Sequence, residues 1–200
     1  LGIDFGGHGY FGSTKILSLT PTTAGASTVF SDENNQNFTP TVGDALKKGW
    51  YGAEMQIYYD LLGGMALKGE YISGTISGVN SSFNSAQNNS AFNRNAIRDF
   101  KGFYGTFIKN IGVKNQLSER HEVFEPNKNL SGDAVNNAAD LAYSTWSFSW
   151  QYFFDDNIKI NVGYSMPVNE KSANASLVGT DFANVDKKDN TFTIRLQAKF

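Results

Sequence analysis

The 200-residue chain contains no cysteine. A disulfide framework and a thiolate metal site are therefore both closed to it. Its two histidines, His8 and His121, lie far apart and without a local acidic cluster, so zinc chemistry is not expected. No apolar run approaches the roughly 18 residues of a membrane-spanning helix. There is no basic excess either. Lys and Arg number 17 against 19 Asp and Glu, for a formal net charge of −2, which leaves nothing to hold nucleic acid. No nucleophile elbow or triad motif occurs, so the chain is not expected to be an enzyme and no cofactor is implied. Leu1 shows neither an initiator Met nor a signal peptide and opens on strand-like residues, LGIDFGG. That start reads as a mature, trimmed or partial sequence.

What is present is aromatic residues, glycine and alternation. Aromatics make up 14% of the chain and glycines number 20. A mean hydropathy of −0.36 suits a soluble protein, yet does not exclude a β-barrel, whose strands are half polar. A period of two recurs over eight segments, near residues 1–10, 50–60, 65–74, 100–110, 115–125, 141–154, 158–166 and 191–200. In the second, Tyr51, Ala53, Met55, Ile57 and Tyr59 share one face, and Glu54, Gln56, Tyr58 and Asp60 the other. In the sixth, Trp146, Phe148, Trp150 and Tyr152 alternate with Ser147, Ser149 and Gln151. The last segment, TFTIRLQAKF, sets Phe192, Ile194, Leu196, Ala198 and Phe200 against Thr193, Arg195, Gln197 and Lys199.

The connections sort by parity. Those after the second, fourth and sixth segments are short: 61–64, 111–114 and 155–157. Those after the first, third, fifth and seventh are long and polar, including 78–95, 127–140 and 169–190. A short strand extension is expected at 15–19. Short turns at one end and long loops at the other characterise transmembrane β-barrels, and strands near ten residues match a tilted crossing. The fold expected is all-β: a transmembrane antiparallel β-barrel, with residues 1–200 as one domain and the C-terminus on the short-turn, periplasmic side.

Centring the first short turn near Leu62 sets Glu54 opposite Glu70 and Gln56 opposite Lys68, with Lys68 diagonal to Glu54. The face assigned to the lumen carries Glu54, Gln56, Lys68, Glu70, Arg120, Glu122, Ser147, Gln151, Lys159, Asn161, Arg195 and Gln197. Such charges tune ion selectivity, with Lys68, Arg120, Lys159 and Arg195 as the attracting cations. They serve equally as cross-strand ion pairs that stiffen a wall, Arg120 with Glu122 being the clearest case. Arg94 and Arg98 read as solvated loop charges before the fourth strand. The aromatics Tyr51, Tyr59, Tyr71, Trp146, Trp150, Tyr152, Tyr164 and Phe200 read as lipid-facing or girdle residues. Acidic segments at 32–35 and 186–189 offer oxygen ligands for Ca²⁺ but lack EF-hand spacing.

Five stretches carry a family likeness: GAEMQIYYD-LLGGMALKGEYISG, GFYGTFIKNIGVKNQ, FEPNKNLSGD, WSFSWQYFFDDNIKINVGYSMPVNE and DNTFTIRLQAKF. Together they resemble the C-terminal half of phosphate-selective porin O/P-type outer-membrane porins, in particular Bacteroidota members. The likeness covers most of residues 50–200. It implies a 16-stranded barrel of which these strands are half, in the outer membrane of a Gram-negative bacterium. It implies passive diffusion of small hydrophilic solutes, among them anions such as phosphate. The partners implied are the lipid bilayer, lipopolysaccharide, a homo-trimer or other membrane complex, and the insertion machinery that would read Phe200. Two other roles stay open: a structural or assembly subunit of a larger outer-membrane complex, and a complete small eight-stranded barrel whose filled interior does not conduct. The chain departs from the family at Glu119 and His121 in the fifth segment, where apolar or Tyr residues are usual. If these face outward, they should meet a headgroup layer or a protein partner.

Overall fold

A computed structural model describes residues 1–16, 18–20, 30–32, 36–60, 63–77, 82–84, 97–135, 138–174, 183–186 and 188–199. Eight long strands form one antiparallel sheet: β1 (Gly2–Lys15), β5 (Ala45–Tyr59), β6 (Met65–Ser77), β8 (Ile97–Ile111), β9 (Asn115–Glu125), β10 (Tyr143–Phe153), β11 (Ile158–Asn169) and β12 (Thr191–Ala198). Each pairs with its neighbour in sequence, in the order β1-β5-β6-β8-β9-β10-β11-β12. The sheet does not close on itself, since β1 and β12 each have one paired side. Short pieces decorate the long-loop end: β2 (Ser18–Thr20) pairs with β7 (Ser82–Asn84), and β3 (Phe30–Ser31) with β4 (Asn37–Phe38). The only helical residues described are two short 3₁₀ turns, Gly132–Ala134 and Ala138–Asp140.

The strands form where alternation predicts them, but several run further. β1 continues to Lys15, β5 starts at Ala45, β6 ends at Ser77 and β11 at Asn169. These extensions lack a clear two-residue period, so the pattern does not announce them. The ladder carries them because an unpaired backbone group is costly wherever a partner strand is in reach. The extension expected at 15–19 is divided between the end of β1 and the separate β2. The C-terminal strand is described only to Lys199, so Phe200 lies outside the described residues, as does Arg94.

Register follows from turn length. Gly63 and Gly64, with φ of 92° and 93°, close the β5–β6 hairpin in a conformation that glycine adopts without strain. Glu54 then faces Glu70, and Gln56 faces Lys68. The hairpins are also staggered. Met65 pairs with Lys109, two residues short of the end of β8, and Asn115 pairs with Tyr152, two short of Phe154, whose N–H bonds Ile158. Each hairpin therefore steps past the last in the same direction, which is the shear a curling sheet requires.

Neither face of this sheet is covered by a second layer among the described residues. The side chains of Phe5, Met55, Leu67, Phe107, Trp150 and Ile194 on the apolar face are all exposed. The buried apolar residues Ile16, Leu46, Ile97, Phe100, Val135 and Leu141 gather at the long-loop end. There the connection 126–142 is more than a polar loop. Val135 and Leu141 pack with Leu130 and with Ala183 of the connection between β11 and β12. Glu170 ties the two connections together, accepting the N–H groups of Gly132 at 2.6 Å and Ala142 at 3.0 Å.

Arg98 is not a solvated loop charge. It lies within β8, and its Nε donates to Asp140 at 2.5 Å, with Asp140 fully enclosed. The reason is the path of the 126–142 connection, which brings an acid 42 positions away over the sheet. Among the turns, the Thr41 N–H donates to Asp44 at 2.7 Å and holds that carboxyl below the usual aspartate range.

Candidate functional site on the polar face

Strand pairing brings every residue assigned to the hydrophilic face onto one side of the sheet. Glu54 faces Glu70 and Glu70 faces Tyr104; Tyr104 faces Glu122; Arg120 faces Ser147. Farther along, Gln151 faces Asn161, Asn161 faces Arg195, and Lys159 faces Gln197. The sheet is thus polar on one face and apolar on the other from β5 to β12. β1 adds Asp4 and His8 to the polar side, opposite Gln56 and Gly52.

The polar face has two electrostatic halves. Over β1 to β9, acids and bases are interleaved, and Arg120 and His8 each lie against a glutamate. The Arg120 guanidinium lies 4.0 Å from the centre of the Tyr104 ring and bonds Glu122 at 2.8 Å. His8 reaches Glu70 at 3.4 Å across the intervening strand. It can do so because Gly52 stands between them: a Cβ there would meet the His8 Nε2 at 2.5 Å. The Lys68 ammonium sits 5.8 Å from the Tyr58 ring centre, beside Gln56. A hollow of about 210 Å³ is lined by Gly102, Ile72, Phe124, Glu70, Arg120 and Glu122, among others.

Over β10 to β12 the face is different. Ser147 and Ser165 share a hydrogen bond of 2.9 Å, and Asn161 donates to Ser149 at 2.7 Å. Lys159 has the Phe153 ring at 5.7 Å. Neither Lys159 nor Arg195 forms an ion pair among the described residues. The four cations read from the sequence therefore differ in kind. Arg120 is neutralised by a neighbour, Lys68 sits among Glu54, Gln56 and Glu70, and Lys159 and Arg195 present uncompensated charge.

On the opposite face the aromatics fall where alternation predicts. Trp146, Phe148, Trp150 and Tyr152 face Met166, Tyr164, Val162 and Ile160. Glu119 and His121 are on this apolar face too. Glu119 stands between Phe107 and Phe148, and His121 between Gly105 and Trp146, its ring stacked on the indole at 4.2 Å. In the acidic segments, Asp32 accepts the Gln36 N–H at 2.8 Å, and Asp186 accepts that of Asn169, 17 positions away, at 2.9 Å; Glu33 lies outside the described residues. Sequence alone missed the His8–Glu70 and Arg98–Asp140 pairs. Both join residues far apart in the chain, and only the small size of Gly52 could have hinted at the first. No family model, curated protein or solved structure matches the chain.

Proposed function

We propose that this sheet is part of the wall of an outer-membrane porin-type barrel, through which small hydrophilic solutes, anions among them, diffuse passively. One observation carries the reading: an exposed, mainly apolar band, interrupted on β9 by Glu119 and His121, lies on one face of a staggered antiparallel sheet whose other face is polar. In water, exposed apolar area of this extent has no reason to persist. Against hydrocarbon it is the favourable surface, and the polar face then lines water.

The band has the right height. Counted from the short turns, it runs from Ile111 to Phe103 on β8, broken by Lys109 near the turn, and it ends at the Lys101–Glu125 ion pair of 3.1 Å; the matching span on β9, Asn115 to Val123, also holds Glu119 and His121. That is close to the roughly 9–11 tilted residues needed to cross a bilayer. The open edges of β1 and β12 fit the same reading only if further strands meet them, because unpaired N–H and C=O groups are not tolerated in hydrocarbon. A 16-stranded barrel of the phosphate-selective porin type, with these eight strands as half, supplies such strands and sets the short turns on the periplasmic side.

Planar-bilayer recording of the full-length protein tests the proposal. Discrete single-channel steps are expected. Insertion without any conductance would leave a structural or assembly subunit as the function.

A further inference from the structure

Aromatic rings on a face that meets water need a reason that lipid does not supply. Toward its long-loop end the polar face carries Tyr10 on β1, Trp50 on β5, Phe100 on β8, Phe124 on β9 and Tyr143 on β10. Strand pairing sets them there. Tyr10 faces Trp50, and Phe124, two residues beyond Glu122 on the same side of β9, faces Gly102 and Tyr143. Tyr10 and Trp50 cover each other, stacked at 4.6 Å, and Phe100 is buried. Phe124 and Tyr143 are left partly open. Tyr143 is 41% exposed, Phe124 is half-buried, and their ring centres lie 5.6 Å apart. Both rings line the hollow of about 210 Å³ together with Ile72, and the rest of its lining includes Glu70, Arg120 and Glu122. Gly102 keeps it open, since a Cβ there would come within 3.0 Å of the Phe124 ring.

This lining is selective in its chemistry. The carboxylates of Glu70 and Glu122 repel an anion, and the Arg120 guanidinium, held 4.0 Å from the centre of the Tyr104 ring, repels a cation. What suits it is a neutral ligand with an apolar face on one side and a row of hydroxyls on the other. A hydroxyl both donates and accepts, and Arg120 and Glu122, paired at 2.8 Å, offer donors and an acceptor side by side. The apolar C–H face of a sugar ring buries its area against Phe124 and Tyr143, as apolar groups do on exposed aromatic rings. We propose that the hollow is a binding subsite for one ring of a neutral oligosaccharide, placed at the long-loop mouth of the wall. Its role rests on the channel reading above, for which it names a class of solute. The polar row of Glu54, Glu70, Tyr104 and Glu122 lies one step deeper along the same face and is what the sugar meets next.

The test uses the full-length protein in planar bilayers, with maltohexaose, laminarihexaose, xylohexaose and mannohexaose as probes. Calorimetric titration of the detergent-solubilised protein with the same sugars runs in parallel. Reversible, saturable block of the channel current by at least one hexaose, with matching heat of binding, is expected. Tyr143→Leu should weaken that binding about tenfold, the scale of one lost aromatic contact. Tyr143→Phe should keep it, and so should Tyr164→Leu on the opposite face. Arg120→Gln, which removes the donors, should weaken it as well and serves if Tyr143→Leu does not insert. Block should be the same at about 0.1 M and about 1 M KCl, because a neutral ligand is not screened. Open channels that no hexaose blocks, with no heat of binding, overturn the subsite and leave the channel reading standing. So do block by phosphate or spermidine alone, and sugar binding that both Tyr143→Leu and Arg120→Gln leave unchanged. Heat of binding without conductance overturns the channel reading and keeps the subsite; absence of both overturns the two together.

Discussion

Two glycines on the polar face separate space-driven from permissive positions. A Cβ at Gly74 would fall 2.6 Å from both the Cα and the Cβ of Trp50, atoms that cannot yield without moving the strand. A Cβ at Gly163 would meet only ordinary contacts, the nearest at 3.7 Å. Gly74→Ala is therefore expected to destabilise the sheet by about 1–3 kcal/mol, the usual cost of overpacking. Gly163→Ala should change stability by less than about 0.5 kcal/mol, as surface substitutions away from special features do. Urea unfolding of the two variants in detergent measures the difference; equal midpoints would show that β5 and β6 are not held as closely as their pairing implies. The same logic explains Gly52, whose missing side chain lets His8 cross to Glu70.

Elements divide into those that period alone reveals and those that need a neighbour. β9 is read to the residue because a short turn and Pro126 bound it, although Glu119 and His121 break its alternation. The Glu54–Glu70 and Gln56–Lys68 register is legible because a short turn leaves the two strands few ways to align. The 126–142 connection is not legible in that way. Its composition is polar, and its order comes from contacts that exist only once β8, β10 and β11 are assembled. The enclosed Arg98–Asp140 pair is the main one, seconded by the Lys128 N–H, which donates to the Asp99 carbonyl at 2.8 Å. Asp140→Asn leaves the guanidinium buried without its counter-charge, at a cost of about 3 kcal/mol or more. The expected result is local release of the connection and faster tryptic cleavage after Lys128, with the sheet intact. Replacing both partners, Arg98→Met with Asp140→Leu, should restore much of the protection, since it removes the uncompensated charge. Wild-type cleavage rates in Asp140→Asn would mean that the pair does not hold the connection.

At the scale of the whole molecule, what matters is where uncompensated charge faces the aqueous pathway of the proposed barrel. Counting cations on the polar face would rank Lys68, Arg120, Lys159 and Arg195 together. The structure ranks them differently, because Arg120 already has Glu122 at 2.8 Å, whereas Lys159 and Arg195 face Gln197 and Asn161. A matched pair projects little field beyond its own length, while a lone charge reaches about a Debye length, roughly 10 Å at 0.1 M salt. Lys159→Gln/Arg195→Gln should thus move the reversal potential under a salt gradient towards cation preference, and by more than Arg120→Gln does. Glu122→Gln should act in the opposite direction, since it unmasks Arg120. All of these shifts should shrink at 1 M salt, where the screening length falls to about 3 Å. A larger effect from Arg120→Gln than from the double variant would show that pore width, rather than the charge on β11 and β12, sets the preference.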